Sequence, residues 1–322
     1  MSKKKIFASL ITLLLLVVIF YKINFSVLIN TFKNFDYKII PIIAILYILT
    51  LYIRGLRWKV LLQNNTKYSI INLAKVFTVG SMLNIYLPAR AGDIYRAYYL
   101  GKTYDEKKMK IFGTVILERL FDGISVFLLL LTAVLYSYKQ PWIINLTYIT
   151  GTIFILALIF AYVIFKYNKT DIIFNYICRH STNKVTAIIQ KLQSYTNSFI
   201  EGFESICDIK KILILIMLSL FIWGTECYIA YLIVSGFSLG LSFMSGLFII
   251  SLTSFSTMIP STSMFLGPYQ YAYILALGIY GIGKSATLAI STVHQGILTI
   301  ILTAIGLFYL LKFNLKIKDA IK

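Results

Sequence analysis

The sequence predicts an all-α integral membrane protein: about six transmembrane helices plus two oppositely oriented re-entrant hairpins, arranged as an inverted-topology repeat. Three observations carry this. The first is composition. Of 322 residues, 59% are hydrophobic and only 13% charged, against about 45–50% and about 25% in a soluble domain. That apolar excess overfills a single soluble core, which excludes a soluble enzyme, a disordered chain and a secreted disulfide scaffold. The second is charge. Lys and Arg number 31 against 12 acids, a formal net charge of +19, and the bases gather between the apolar runs. Basic loops beside an anionic inner leaflet account for that pattern without a nucleic-acid partner. The third is a motif built on Pro, Gly and Tyr that occurs twice, in segments of opposite orientation.

A spanning helix needs about 20 mostly apolar residues. The runs at 6–21 (short), 39–53, 111–135, 143–165, 212–234 and 285–311 are the six spans. Lys3, Lys4 and Lys5 precede the first, and Ile23, Asn24 and Phe25 offer no small-residue cleavage site, so it reads as a retained helix rather than a signal peptide. Both termini are then cytoplasmic, and residues 1–322 form one polytopic domain expected in the plasma membrane.

Two further apolar stretches are placed by charge. Arg54, Arg57 and Lys59 precede residues 70–87, and Arg90, Arg96, Lys102, Lys107, Lys108 and Lys110 follow them. Both flanks should be cytoplasmic, so 70–100 dips in and returns. The 212–234 span starts beside Lys210 and Lys211 and runs outward. The last span ends before Lys312, Lys316, Lys318 and Lys322 and runs inward. Residues 243–282 therefore enter from outside and return there. Pro88 and Pro260 stand near the two tips, where helices must stop. This scheme leaves only Lys22, Lys33, Lys38, Lys139 and Lys284 outside. The alternative, two full spans, would put a dense basic loop outside.

Residues 166–211, between a first half (1–165) and a second (212–322), are too polar to span. Val185, Ile188, Ile189, Leu192, Phe199, Phe203 and Ile206 recur there at helical spacing. They predict an amphipathic linker helix, lying on the inner leaflet or packed on the cytoplasmic ends of the bundle.

The repeat aligns Pro88, Gly92, Ala97, Tyr98 and Leu100 with Pro260, Gly267, Ala272, Tyr273 and Leu275, with three extra residues between Pro and Gly in the second copy. Each copy lies between two spans. Inverted repeats of this kind place a transporter's substrate near the midplane. The run Leu87-Pro88-Ala89-Arg90-Ala91-Gly92-Asp93-Ile94-Tyr95-Arg96, then Glu118-Arg119-Leu120-Phe121-Asp122, then Pro260, Gly267-Pro268-Tyr269-Gln270, Leu277-Gly278 and Ala286 resembles the lysylphosphatidylglycerol synthase transmembrane-region family. That is the flippase-like domain found in multiple peptide resistance factors and as stand-alone proteins. The likeness runs from about residue 10 to 311. It implies lipid translocation, with hairpins from both leaflets contacting the headgroup. Where the family usually carries an acid, this chain has Gln270. The chain ends at Lys322, so no soluble aminoacyl-transfer domain is expected within it.

The candidate headgroup-binding residues are Arg90, Gly92, Asp93, Arg96, Arg119, Glu226, Ser261, Thr262, Tyr269 and Gln270, supported by Pro88, Glu118, Asp122, Pro260 and Gly267. Arg90 and Arg96 flank Gly92-Asp93, and a guanidinium fork suits a phosphate leaving water. Gly92 admits close backbone approach. An ordinary basic loop is the other reading. Arg119 and Asp122 are spaced to pair, and Glu118 and Asp122 share a helix face. An intramembrane acid such as Glu226 needs a partner; Arg90, Arg96 and Arg119 are the candidates. Ser261, Thr262, Ser263, Tyr269 and Gln270 suit sugar or glycerol hydroxyls, or the hairpin's own backbone. His294-Gln295 reads as a helix-packing polar pair.

Enzyme signatures fail. Gly236-Phe237-Ser238-Leu239-Gly240 matches G-x-S-x-G but lies in a loop between membrane segments. Only His180 and His294 exist, and Cys178, Cys207 and Cys227 lack ligand spacing. No metal, no cofactor and no catalytic residue is expected. The partners expected are membrane lipids with an anionic headgroup, with a separate lipid-modifying enzyme as a further one. The reading is a lipid transporter rather than an enzyme. Its rivals are an integral membrane enzyme acting on a lipid carrier and a non-catalytic partner of one.

Overall fold

The computed structural model describes residues 23–63, 65–87, 90–136, 140–167, 170, 174, 183–257 and 265–312. The predicted span at 6–21, and the positions of Pro88, Pro260, Ser261, Thr262 and Ser263, lie outside the described residues.

The described chain is helical and carries no strand. A short helix α1 (Phe25–Lys33) opens it, and the Asn24 side chain caps that helix by accepting from the Val27 amide at 3.2 Å. Then come α2 (Ile40–Leu61), α3 (Ile70–Tyr86), α4 (Ala91–Tyr104), α5 (Lys108–Tyr136) and α6 (Pro141–Lys166). After the linker helix α7 (Asn183–Glu201) follow α8 (Ile209–Ser235), α9 (Met244–Ser256), α10 (Pro268–Gly278) and α11 (Lys284–Lys312). Among the described residues, four helices are long and apolar enough to cross a membrane: α2 with its preceding turn, α6, α8 and α11. The shorter apolar helices α3 and α9 are not. The 29-residue α5 is as long as α11, but carries Glu118, Arg119 and Asp122 in its first half.

The helices pack in a repeating order. α2 lies on α3, α3 on α4 and α4 on α5; likewise α8 lies on α9, α9 on α10 and α10 on α11. The two sets interlock: α2 packs on α8, α3 rests on α11, and α9 rests on α5. Close approach needs small residues. A Cβ on Gly92 would stand 1.8 Å from the Gly80 carbonyl oxygen, so α3 and α4 touch backbone to backbone.

The linker helix packs on the bundle. A Cβ on Gly113 would meet the Phe199 carbonyl at 2.3 Å, and one on Gly202 the Lys110 carbonyl at 2.4 Å. Ile189, Ile200, Phe203 and Ile206 are buried, while Ile188, Leu192 and Tyr195 remain exposed. Of the two placements the sequence allowed for this segment, the helix has its buried edge against α5 and an apolar edge left over.

Helix ends depart from the sequence reading in one important place. The span read as 39–53 continues to Leu61, so Arg54 and Arg57 are not a solvated flank but part of α2. Arg57 is fully buried.

Candidate functional site

The site begins with that extension. Three turns of α2 past residue 50 bring Arg54, Arg57 and Trp58 against α3, α5 and α8. A buried guanidinium is tolerated only with carboxylates and donors arranged around it, and neighbouring helices supply them. Arg57 Nη1 donates to Asp122 Oδ1 at 2.6 Å and to Ser219 Oγ at 2.8 Å, while its Nη2 stands 3.3 Å from Glu118 Oε1. Arg96 Nη2 donates to Glu118 Oε2 at 2.6 Å, and its Nη1 is 3.7 Å from Asp93. The same guanidinium lies between Trp58 and Phe77, 4.2 and 4.4 Å from their ring centres.

Asp93 is held from three sides. Arg119 Nη2 donates to it at 3.0 Å, Asn84 Nδ2 at 3.0 Å, and Arg96 flanks it. Arg119 also reaches Asp122 at 3.5 Å, the i,i+3 pair expected from spacing. Asp122 takes a further bond from Trp223 Nε1 at 2.8 Å. Arg54 donates to Glu226 at 3.2 Å and lies 5.4 Å from the Trp223 ring. Glu118 stands ten residues inside the start of α5, about 15 Å along its axis, so this network occupies the interior of the bundle.

Several expectations change. The partner of Glu226 is Arg54, not Arg90, Arg96 or Arg119. Arg96 is fully buried and committed to Glu118, so it is not available to a phosphate in this conformation. The space over Gly92 is filled by the Gly80 carbonyl rather than by a ligand. Arg54 and Arg57 were missed because charge next to an apolar run reads as a loop. The signal that would have found them is their i,i+3 spacing beside Gly55 and Trp58, facing acids at Glu118, Asp122 and Glu226.

Arg90 stands apart. Among the described residues, five guanidiniums (Arg54, Arg57, Arg90, Arg96, Arg119) meet four carboxylates (Asp93, Glu118, Asp122, Glu226), and the ion pairs within 4 Å use all but Arg90. Its Nη2 donates to the Thr257 carbonyl at 3.4 Å. Arg90 has φ 52°, a left-handed conformation unusual for a side-chain-bearing residue.

The second half contributes neutral groups. Gln270 Oε1 accepts from the Gly267 amide at 2.8 Å, and its Nε2 donates to Gln295 at 2.7 Å. Gly267 has φ 95°, which a residue with a Cβ rarely adopts. The Tyr273 hydroxyl is hydrogen-bonded to His294, and the Tyr269 ring lies 5.4 Å from that of Tyr273. His294 and Gln295 thus join α11 to α10, as a packing pair. The Gly236–Gly240 match is a loop with Ser238 exposed. Among the described residues no cluster of His, Cys, Asp or Glu suits a metal ion.

Apolar spans around a buried Arg–carboxylate network define a multi-pass, all-helical membrane protein. The family model described as "Lysylphosphatidylglycerol synthase TM region" matches residues 5–306, and the chain belongs to that family. It is also 30% identical over 237 residues to the UPF0104 membrane protein MJ1078 of Methanocaldococcus jannaschii, covering 72% of this chain and 95% of that one. No solved structure matches it.

Proposed function

We propose that this protein is a lipid translocase that carries an anionic phospholipid, or a polyprenyl-phosphate-linked lipid, between leaflets. The observation that carries the reading is the uneven charge of the buried network. Among the described residues, five guanidiniums stand against four carboxylates, an excess of one positive charge, and Arg90, which makes no ion pair within 4 Å there, reaches from the start of α4 to the Thr257 carbonyl at the end of α9. A net charge partly withdrawn from water attracts a counter-ion, and a lipid phosphate is the anion a membrane supplies. The reciprocal packing of α3 on α11 and α9 on α5 supports two opposed re-entrant hairpins related by inverted duplication. The termini and the basic helix ends then face the cytoplasm of a plasma-membrane protein.

The sequence holds no nucleotide-binding motif, so the driving force in this reading is an ion gradient or the lipid imbalance itself. The enzyme reading is weaker because its acid–base candidates Glu118, Asp122 and Glu226 are all bridged to guanidiniums, the first two to two each and Glu226 to Arg54. The test is the purified protein in liposomes with headgroup-labelled phosphatidylglycerol in one leaflet. Movement of unaltered lipid supports translocation. A chemically altered lipid, or no movement beyond protein-free liposomes, overturns it.

A further inference from the structure

We infer that the cleft between α5, α6 and α7 is a binding site for one phospholipid of the leaflet on the linker-helix side. One acyl chain lies in the cleft and the phosphate stands at Lys166. This site is on the far side of α5 from the charged network, and the inference does not depend on translocation.

The cleft has a volume of about 640 Å³, within the roughly 300–1,000 Å³ of sites that hold small ligands. Its walls are apolar: Ile116 and Leu120 from α5, Ala161 and Ile164 from α6, Phe199 and Ile200 from α7. Ile116 and Leu120 are one helical turn apart. Glu118 and Asp122, between and beyond them, point into the network instead. The two faces of α5 therefore serve different ligands.

Three features identify the occupant. First, the cleft opens onto the face of α6 that meets lipid. Only 17% of the α6 apolar window is buried, the least of the four spans. Phe160 and Val163 line the cleft and are themselves exposed. A second, shallower recess shares Ala157, Phe160 and Val163 with it, so the apolar surface is continuous from the cleft to the outside.

Second, the length fits one leaflet. The α6 wall runs from Ala157 to Tyr167, ten residues or about 15 Å of helix. That is half of a hydrocarbon core about 30 Å thick.

Third, the end of the wall is polar and cationic. Tyr167, Thr170 and Thr196 close the cleft there. The Lys166 ammonium lies over the Tyr162 and Tyr167 rings, 5.5 and 5.6 Å from their centres. Tyrosines and a snorkelling lysine are the groups that sit at headgroup level. A free fatty chain would use the walls but not this rim; a phospholipid uses both.

The linker helix is what makes the site. Without α7 the surface would be an ordinary lipid-facing helix face. With it, the chain is gripped on three sides, so the bound lipid should exchange more slowly than its neighbours.

The test is native mass spectrometry of the full chain released from micelles, with phosphatidylglycerol as the probe, on the wild type, Ala157→Trp and Lys166→Gln. The wild type should retain one phospholipid after detergent exchange that strips the annulus. Ala157→Trp, which fills the cleft from its open side, should abolish retention. Lys166→Gln changes an exposed side chain and leaves the walls intact. It should weaken phosphatidylglycerol about fivefold, the effect of one interfacial cation, and leave diacylglycerol binding unchanged. Equal retention in Ala157→Trp overturns the site, as does a wild type that retains no lipid. A second copy of the chain in place of the lipid would make the cleft a protein interface and also overturns it. If Ala157→Trp fails to fold, Lys166→Gln decides alone: unchanged phosphatidylglycerol affinity overturns the assignment.

Discussion

Arg90 and Thr257, 167 positions apart and from different helix pairs, meet where the Arg90 Nη2 donates to the Thr257 carbonyl at 3.4 Å. The bond is long, and long bonds are weak. The backbone at Arg90 is left-handed, which costs energy for a residue with a Cβ. Among the described residues every other guanidinium of the network has a carboxylate within 4 Å. Arg90 is thus the cation with least to lose by exchanging its acceptor, and a phosphate oxygen is a far better acceptor than a peptide carbonyl.

Replacing Arg90 with Gln should therefore cut anionic-lipid movement by tenfold or more while leaving insertion and thermal stability near wild type. Lys should restore only part, since charge returns without the fork. An ordinary basic loop predicts the reverse: Gln disturbs orientation and Lys rescues fully. Lipid transfer and protease accessibility measured on the same two variants separate these outcomes. Full transfer in Arg90→Gln with correct orientation sinks the role.

Arg96 should behave differently, although spacing alone made the two equivalent. It is fully buried, bridged to Glu118 at 2.6 Å and stacked between Trp58 and Phe77. Breaking a buried ion pair leaves a charge uncompensated and costs about 3–5 kcal/mol. Arg96→Gln should lower the thermal midpoint and the yield of folded protein before any effect on transfer is measurable. Arg96→Gln with Glu118→Gln should recover part of the stability. A single variant as stable as the wild type contradicts this.

What was legible in the sequence follows from what apolar runs report. The helix centres of α2, α5, α6, α8 and α11 were visible because nothing but a spanning or buried helix uses such runs. The stops of α3 at Tyr86 and α9 at Ser256 come just before Pro88 and Pro260. The end of α2 was not legible, because hydropathy treats Arg54 and Arg57 as solvent-seeking whatever faces them. Only tertiary packing places Asp122 and Glu226 opposite. Helix α1 was missed although Asn24 is a good cap, because its nine residues are too few to register as a span. The pairing of Arg119 with Asp122 was legible because it is local; that of Arg119 with Asp93 was not.

Topology is open to a direct check. In a background lacking Cys178 and Cys207, a Cys at Lys107 should react with a membrane-impermeant thiol reagent only from the cytoplasmic side, and a Cys at Ser238 only from outside. Both positions are exposed. Cys227 is buried and does not compete. Cys207 must go because it is exposed, although desolvation raises its thiol pKa and slows its reaction. Labelling of the Lys107 probe from outside in sealed cells would remove the opposed-hairpin arrangement, because both hairpins would then open to one side.

The Arg54–Glu226 pair gives the last prediction. It links α2 to α8 through a single bond of 3.2 Å, with side chains 11% and 9% exposed. α2 and α8 are also the paired first helices of the two packing sets, so a rocking motion between the halves would work at this contact. Glu226→Gln keeps size and one acceptor but removes the charge. It removes the carboxylate bridged to Arg54 and raises the net positive charge of the network by one. Transfer should fall several-fold with membrane insertion near normal. Arg54→Gln alone should leave Glu226 unpaired, and a buried unpaired carboxylate takes up a proton. That variant should therefore transfer lipid better at low pH than at high. The double variant restores the wild-type charge balance of the network, so its stability should exceed that of Glu226→Gln. If the pair only holds the helices together, its transfer should recover in parallel. If the charges serve the moving headgroup, stability returns and transfer does not. Thermal unfolding and lipid transfer on these three variants across a pH series decide it. Normal transfer in Glu226→Gln at every pH would leave this pair no ionised role.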